Sequence, residues 1–409
     1  MMKTVEGGVT AARGFLAAGC AAGIKKAGRD DMAMVYSEKP CLLVGTFTSN
    51  RVKAAPVIWD RDIVKGSGIG QAVVVNAGIA NACTGQQGLD YCRQTAEAAS
   101  EALGIPADTV LVASTGVIGF QLPIDRITAG VRTLAGKLSH DLEAGTSAAR
   151  AIMTTDTVKK EAAVQVTLTD GTVVTIGGMT KGSGMIHPNM CTMLCFVSTD
   201  AVISRDLMQK ALLDVVKATF NMISVDGDTS TNDTCLLLAN GLAGNKAIEE
   251  ENEDYALFKA GLLDVCTRLA KIMAKDGEGA TALVEMKVVG APTKEVARTL
   301  ARSVISSSLT KAAIYGHDAN WGRILCAMGY SGADFEPEKV DLTFTSAAGS
   351  VKVLENGVGT GFSEELATKI LGCDEIFITA DLKLGSEEAE AWGCDLTHKY
   401  VDINADYRS

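Results

Sequence analysis

Between Ala162 and Gly178 the chain reads AAVQVTLTDGTVVTIGG, two β-branched runs joined by Asp170-Gly171. Asp-Gly tolerates the positive φ of a tight turn, so this stretch is a β-hairpin, and any sheet that holds it has antiparallel neighbours. Long helical patterns surround it. Gln87 to Leu103 has apolar or small residues at helical spacing, and Ser204 is placed to cap a helix running through Asn221. Asn252 to Lys275 and Thr293 to Tyr315 read as two more helices, while TVLVAST, ALVEMKVVG, KVDLTFTS, EIFITADLK and HKYVDINAD read as strands. Hairpins mixed irregularly with long helices argue against a regular parallel βαβ sheet. They favour an α+β fold of antiparallel sheets sandwiched by helices.

With 409 residues, 47% of them hydrophobic and 21% charged, the chain can build a large core and two lobes, although no change of composition marks a boundary. A net charge of -11 with no basic run opposes broad attraction to nucleic acid or an anionic membrane, which leaves small molecules and other protein chains as partners. The eleven cysteines are scattered and form no CxxC pair, the pattern of reduced thiols in a cytoplasmic protein without disulfides or zinc. Leu16 to Cys20, LAAGC, resembles a lipoprotein cleavage box, but Arg13 and the glycines before it deny it an apolar core.

Three chemical motifs fail on context. GSGIGQAVVV from Gly66 puts its glycines before a strand, where no helix N-terminus can meet a phosphate. DGDTSTNDT from Asp226 is spaced like a calcium loop, yet Thr231 and Leu237 stand where glycine and glutamate are required. His140, His187, His317 and His398 share no ligand spacing, so no metal site is expected.

What remains is KGSGMIHPNMCTMLCF from Lys181, where a polar, glycine-rich loop turns abruptly into an apolar strand at Thr192. A threonine hydroxyl needs a base, and cutting the peptide bond before Thr192 would supply one, its own α-amine, with a reference pKa of about 7.7 to 8.0. From this segment alone, an ordinary buried strand after a glycine-rich loop is the better reading. VLVASTGVIG ends a strand in Ser114, Thr115 and Gly116, whose hydroxyl and backbone N–H groups could stabilise the oxyanion of an acyl-transfer intermediate. A plain strand-to-turn junction has the same spacing.

Taken together, KGSGMIHPNMCTML, STGVIG, TTDT, NACTG, DGDTSTNDT, KDGEGAT, NWGRIL and the closing INADYRS resemble the glutamate N-acetyltransferase (ornithine acetyltransferase) family of the cyclic arginine pathway, from VTAARGF near residue 9 to the last residue. The resemblance implies αββα-type layers and a precursor that cuts itself between Cys191 and Thr192, giving interlocked chains 1–191 and 192–409. It implies Thr192 as the nucleophile that carries the acetyl group and Thr115 and Gly116 as the oxyanion hole. Thr155, Lys181, Glu278, Asn404 and Ser409 would be substrate contacts, with Lys181 matched to a carboxylate and Glu278 to an ammonium. The implied reaction moves acetyl from N2-acetylornithine to glutamate through acetyl-threonine, with no cofactor and with acetyl-CoA as a further donor in bifunctional members. The implied assembly is a heterotetramer of two α and two β chains. Cys191 departs from the small residue usual before the nucleophile, and its thiol is only modestly larger. Two rivals follow from the same residues: an N-terminal-threonine amidase or aminopeptidase that uses water as acceptor, and an uncleaved binding protein.

Overall fold

The computed structural model describes residues 1–25, 28–187 and 193–405. Its first part interleaves strands β1 (Met2–Val5), β2 (Phe15–Cys20), β3 (Met32–Phe47), β4 (Ile69–Ile79), β5 (Val110–Val117), β6 (Lys160–Thr167), β7 (Val173–Lys181) and β8 (Leu194–Thr199) with helices α1 (Ala55–Lys65), α2 (Gly85–Leu103), α3 (Ile124–Ala135) and α4 (Leu142–Ala151). The chain continues through α5 (Arg205–Ala218), β9 (Ile223–Ser224), β10 (Thr234–Ala239), α6 (Glu253–Lys275) and β11 (Leu283–Ala291). It then forms α7 (Lys294–Ser306), α8 (Ser308–Tyr315), α9 (Trp321–Gly329), β12 (Asp341–Ser346), β13 (Gly349–Glu355) and β14 (Val358–Gly359). Last come α10 (Glu364–Leu371), β15 (Glu375–Asp381), β16 (Glu387–Cys394) and α11 (His398–Ala405).

The first sheet has the order β1-β6-β7-β8-β10-β3-β4-β5, with β2 also paired to β3. Strand β3 is long enough to serve two layers. Its first half pairs with β2 and β4, its second half pairs with β10 along its length, and the register with β4 shifts between Tyr36 and Cys41. Alternation then sorts the side chains. Val73, Val75, Leu111 and Ala113 share one core with Phe196, Leu236 and Leu238. Ala72 and Val74 face away, into the core made with α2 and α3, while Cys195, Val197 and Leu237 pack with residues of α5 and α6. Strands with apolar residues on both faces can only sit inside a layered fold, and burying each such Val or Leu contributes about 1.5–3 kcal/mol. The result is the expected helix-sheet-sheet-helix stack.

The second sheet runs β14-β13-β12-β15-β11-β16-β9 and carries α7 against β11 and β16. Helix α6 touches β6 and β7 of the first sheet and β11 and β16 of the second, so the two sheets share one continuous core. Both sheets are mainly antiparallel, with parallel pairs β8–β10, β4–β5, β11–β15 and β9–β16.

Three local readings change. Thr293 to Tyr315 is two helices, because the Ser307 side chain accepts from the Thr310 amide and starts α8 anew. Helix α5 ends at Ala218, short of Asn221, and Ser204 stands at its N-cap without a side-chain capping bond. HKYVDINA belongs to a helix, α11, and not to a strand. The hairpin stands as read: β6 and β7 pair in register around Asp170-Gly171, with Gly171 at φ 86°. The expected boundary between Cys191 and Thr192 lies outside the described residues.

Candidate functional site

Seven segments far apart in sequence meet in one cleft of about 620 Å³ including its mouth. Its lining includes Thr115, Gly116, Thr155, Lys181, Glu278 and Asn404, which are all the expected site residues among those described. Thr192, Cys191 and Ser409 lie outside the described residues.

Thr115 and Gly116 stand at the end of β5, where its parallel pairing with β4 sets Thr115 beside Ala77 and Gly116 beside Gly78. Gly116 has φ 129°, and a Cβ on it would lie 2.2 Å from the Gly78 carbonyl carbon, so no other residue fits there without moving β4. Ser114, the third residue of that motif, does not share the role. It is buried, and its hydroxyl accepts from the Asn81 amide (2.8 Å) and the Asn232 side chain (3.2 Å). Asn232 also donates to the Ser114 carbonyl at 2.9 Å, so NACTG and DGDTSTNDT act as braces for the strand end.

Lys181 closes β7 opposite Leu194, the second residue after Thr192. Its ammonium donates to Thr154 Oγ1 at 2.9 Å and Thr115 Oγ1 at 3.3 Å, and lies 3.9 Å from Asp156. Thr155 exchanges a hydrogen bond with Ser183 at 2.7 Å. Glu278, just past α6, donates its amide to the Ser183 carbonyl and accepts from Asn404 Nδ2 at 2.7 Å. Gly184 faces that carboxylate, and a Cβ on it would come within 2.4 Å of Glu278. Helix α11 is tied down by the same neighbourhood: Thr397 donates to the Gly279 carbonyl at 2.7 Å, and the Tyr400 hydroxyl contacts Asp226 at 3.3 Å. The Asp226 carboxylate also accepts the Met185 and Ile186 amides, at 2.6 and 2.9 Å, which gives the calcium-like motif a role as a loop tie.

Beneath the cleft lies a charge network in which Asp156 of TTDT and Asp276 of KDGEGAT meet Lys160, a residue outside every motif. Asp156 is buried and accepts from the Gly182 amide (2.7 Å), the Thr154 amide (3.0 Å) and Lys160 Nζ (2.7 Å). Lys160 is fully buried in β6 and also donates to Asp276 at 2.5 Å. Burial works against an ionised Asp156, yet Lys181, Lys160 and the Gly182 amide hold its carboxyl well below the usual range. Burial also lowers the Lys181 ammonium, helped by Lys160 and resisted by Asp156, Glu278 and Asp233. Asp233 lines a smaller cavity next to the cleft with Thr115, Lys181, Met193 and Leu194, and burial raises its carboxyl. The arrangement suits a small zwitterion: Lys181 and Glu278 line one cleft together with Thr115 and Gly116.

The chain is similar to known proteins along most of its length. The ArgJ family model matches residues 16–409. The arginine biosynthesis bifunctional protein ArgJ of Thermotoga neapolitana is 50% identical over 399 residues, covering 97% of this chain and 99% of that protein. A crystal structure of the arginine biosynthesis bifunctional protein from Bacillus halodurans is 46% identical, covering 51% of this chain and 97% of that one, with a TM-score of 0.49. A crystal structure of ornithine acetyltransferase from Mycobacterium tuberculosis, complexed with ornithine, is 43% identical and covers 46% of this chain and 99% of that one, with a TM-score of 0.43.

Proposed function

The chain belongs to the ArgJ family, and from that premise we propose that it is a glutamate N-acetyltransferase that takes acetyl from N2-acetylornithine and passes it to glutamate. The observation that carries the reading is the convergence of Thr115, Gly116, Thr155, Lys181, Glu278 and Asn404 in one cleft. The name of the Mycobacterium tuberculosis protein, and the ornithine bound to it, support the substrate class. The relatives are named bifunctional, which supports including acetyl-CoA as a second donor.

In this reading the chain cuts itself between Cys191 and Thr192, and the freed α-amine of Thr192 becomes the base. The amine takes the proton of the Thr192 hydroxyl while the oxygen forms a bond to the acetyl carbon of acetylornithine. The carbonyl oxygen becomes an oxyanion held by the Thr115 hydroxyl and the Gly116 N–H. On collapse the C–N bond breaks, and the ornithine amine leaves with the proton held on the α-ammonium. Glutamate enters, its amine attacks the acetyl-threonine ester, and N-acetylglutamate departs as the Thr192 hydroxyl regains its proton. One amide replaces another of similar energy, so the exchange needs no nucleotide. Lys181 pairs with a substrate carboxylate and Glu278 with a substrate ammonium, while Thr155, Asn404 and Ser409 complete the pocket. The same reading includes a cytoplasmic heterotetramer of two α and two β chains.

Mass analysis of protein purified without proteases tests the maturation step. The parent should give fragments ending at Cys191 and starting at Thr192, and Thr192→Ala should stay one chain. A parent that remains uncut with full transferase activity contradicts the proposal. Release of acetate without an acceptor would favour the amidase alternative.

A further inference from the structure

An ammonium has three N–H donors and no lone pair, so in its contacts with Thr154 (2.9 Å) and Thr115 (3.3 Å) Lys181 is the donor and each threonine oxygen the acceptor. That fixes where the Thr115 proton can go. A hydroxyl oxygen that accepts from lysine carries its own hydrogen turned away from that lysine, and no acceptor among the described residues takes it. Thr115 lines the cleft next to Gly116. We propose that Lys181 is a positioning residue for the oxyanion hole, turning the Thr115 hydroxyl hydrogen into the cleft and polarising it as a donor. This rests on the acetyl-transfer reading and gives Lys181 a second task beside pairing with a substrate carboxylate.

The surroundings are built to hold that lysine still. Asp156 accepts the Thr154 amide and the Gly182 amide, so one carboxylate fixes the residue that Lys181 donates to and the residue that follows Lys181 in the chain. Its 3.9 Å separation from the ammonium is an ion-pair distance too long for a hydrogen bond, so the third N–H of Lys181 has no acceptor among the described residues and is open to substrate. The two tasks therefore do not compete. The charged groups around Lys181 include Asp156, Lys160, Glu278, Asp233 and Lys25, and none of them replaces its contact with Thr115. A cation bound to a hydroxyl makes that hydroxyl a stronger donor, and the gain is largest when negative charge develops on the acceptor.

A double-mutant cycle on cut, purified protein tests the idea. Lys181→Met, Thr115→Ala and the double variant are compared by kcat/KM for N2-acetylornithine and by the inhibition constant of ornithine. Removing one oxyanion donor costs roughly 10²–10³-fold. If Lys181 works through Thr115, Lys181→Met should lose at least about tenfold less in the Thr115→Ala background than alone, because the group it orients is already gone. Its effect on ornithine binding should be smaller than its effect on kcat/KM. Equal factors in both backgrounds would overturn the proposal and leave Lys181 as a carboxylate partner only. Should Lys181→Met not mature, Lys181→Arg enters the same cycle under the same criterion, since it keeps the charge but moves the donors away from Thr115. Absence of acetyl transfer in the unmodified protein refutes the functional reading itself, whereas equal factors refute this inference alone.

Discussion

Asp156 and Asp341 each sit between two lysines, Lys160 and Lys181 for the first and Lys352 and Lys383 for the second. Around Asp156 the carboxylate and Lys160 are fully shielded from solvent; around Asp341 the lysine side chains are 43% and 35% exposed. The Asp341 cluster joins β12, β13 and the turn just after β15 in the second sheet, and its lysines are open to solvent. A buried cluster recovers little net stability over an apolar replacement, because desolvating each ion costs several kcal/mol. The reason for the Asp156 cluster must therefore lie in position. It holds Thr154, Gly182 and Lys181 along one wall of the cleft. The same residue types thus trim a surface in one sheet and build a site in the other.

Removing one partner of each cluster exposes the difference most sharply. Asp156→Ala leaves Lys160 buried beside Asp276 alone and takes the carboxylate from Lys181, so unfolding free energy in urea should fall by about 3–5 kcal/mol. Transferase activity should fall with it. An Asp156→Ala protein as stable as the parent would show that the network is not dry.

Glu278→Gln keeps the shape of the site and the acceptor for Asn404 but removes the charge offered to a substrate ammonium. Catalytic efficiency for acetylornithine or glutamate should drop by about 2 kcal/mol in apparent transition-state energy, with the melting temperature nearly unmoved. Unchanged kinetics in cut protein would assign Glu278 to holding α11 through Asn404.

Asp341→Asn should cost about 1 kcal/mol or less, and 1 M salt should erase most of that difference while leaving the effect of Asp156→Ala largely in place. The smallest effect is in the acid range. Burial works against ionisation of Asp341, but bonds from Lys383, the Asn356 amide and Lys352 bring its carboxyl from 3.8 down to about 2. A carboxyl lowered on folding stabilises the fold above its unfolded pKa, and that contribution fades as pH falls from about 4 to 2. The parent should lose more stability than Asp341→Asn across that window, and parallel acid titrations would contradict the assignment.

The parts legible in the sequence were those where local chemistry and burial agree. Asp170-Gly171 between β-branched runs defines its hairpin without help from the rest of the chain, and Asn252 caps α6 through the Tyr255 amide. Helix α11 misleads because Tyr400, Val401 and Ile403 favour a strand, while its helical form is held by contacts to Gly279, Asp226 and Glu278 that are more than a hundred residues away in sequence. The double use of β3 is hidden as well, since Glu38-Lys39-Pro40 in its middle reads as a turn between two strands. At the site, the strand-end Thr115-Gly116 pair and the loop before Thr192 stood out from residue chemistry, and the expected substrate contacts came from family resemblance. Lys160 gave no signal, because a lysine in a strand reads as solvent-facing until its two aspartates are brought beside it, and Asp156 stood in TTDT without a role of its own.

The central claim is a covalent acetyl group on Thr192 in a pocket that keeps water out. The direct measurement mixes purified protein with acetylornithine and no glutamate, counts the ornithine released, and locates the acetyl group by mass. The account predicts about one ornithine per site, then near arrest, with acetyl on the fragment that begins at Thr192 and renewed turnover when glutamate is added. Sustained ornithine release without glutamate, at a rate comparable to that with it and with no acetyl on that fragment, would contradict it.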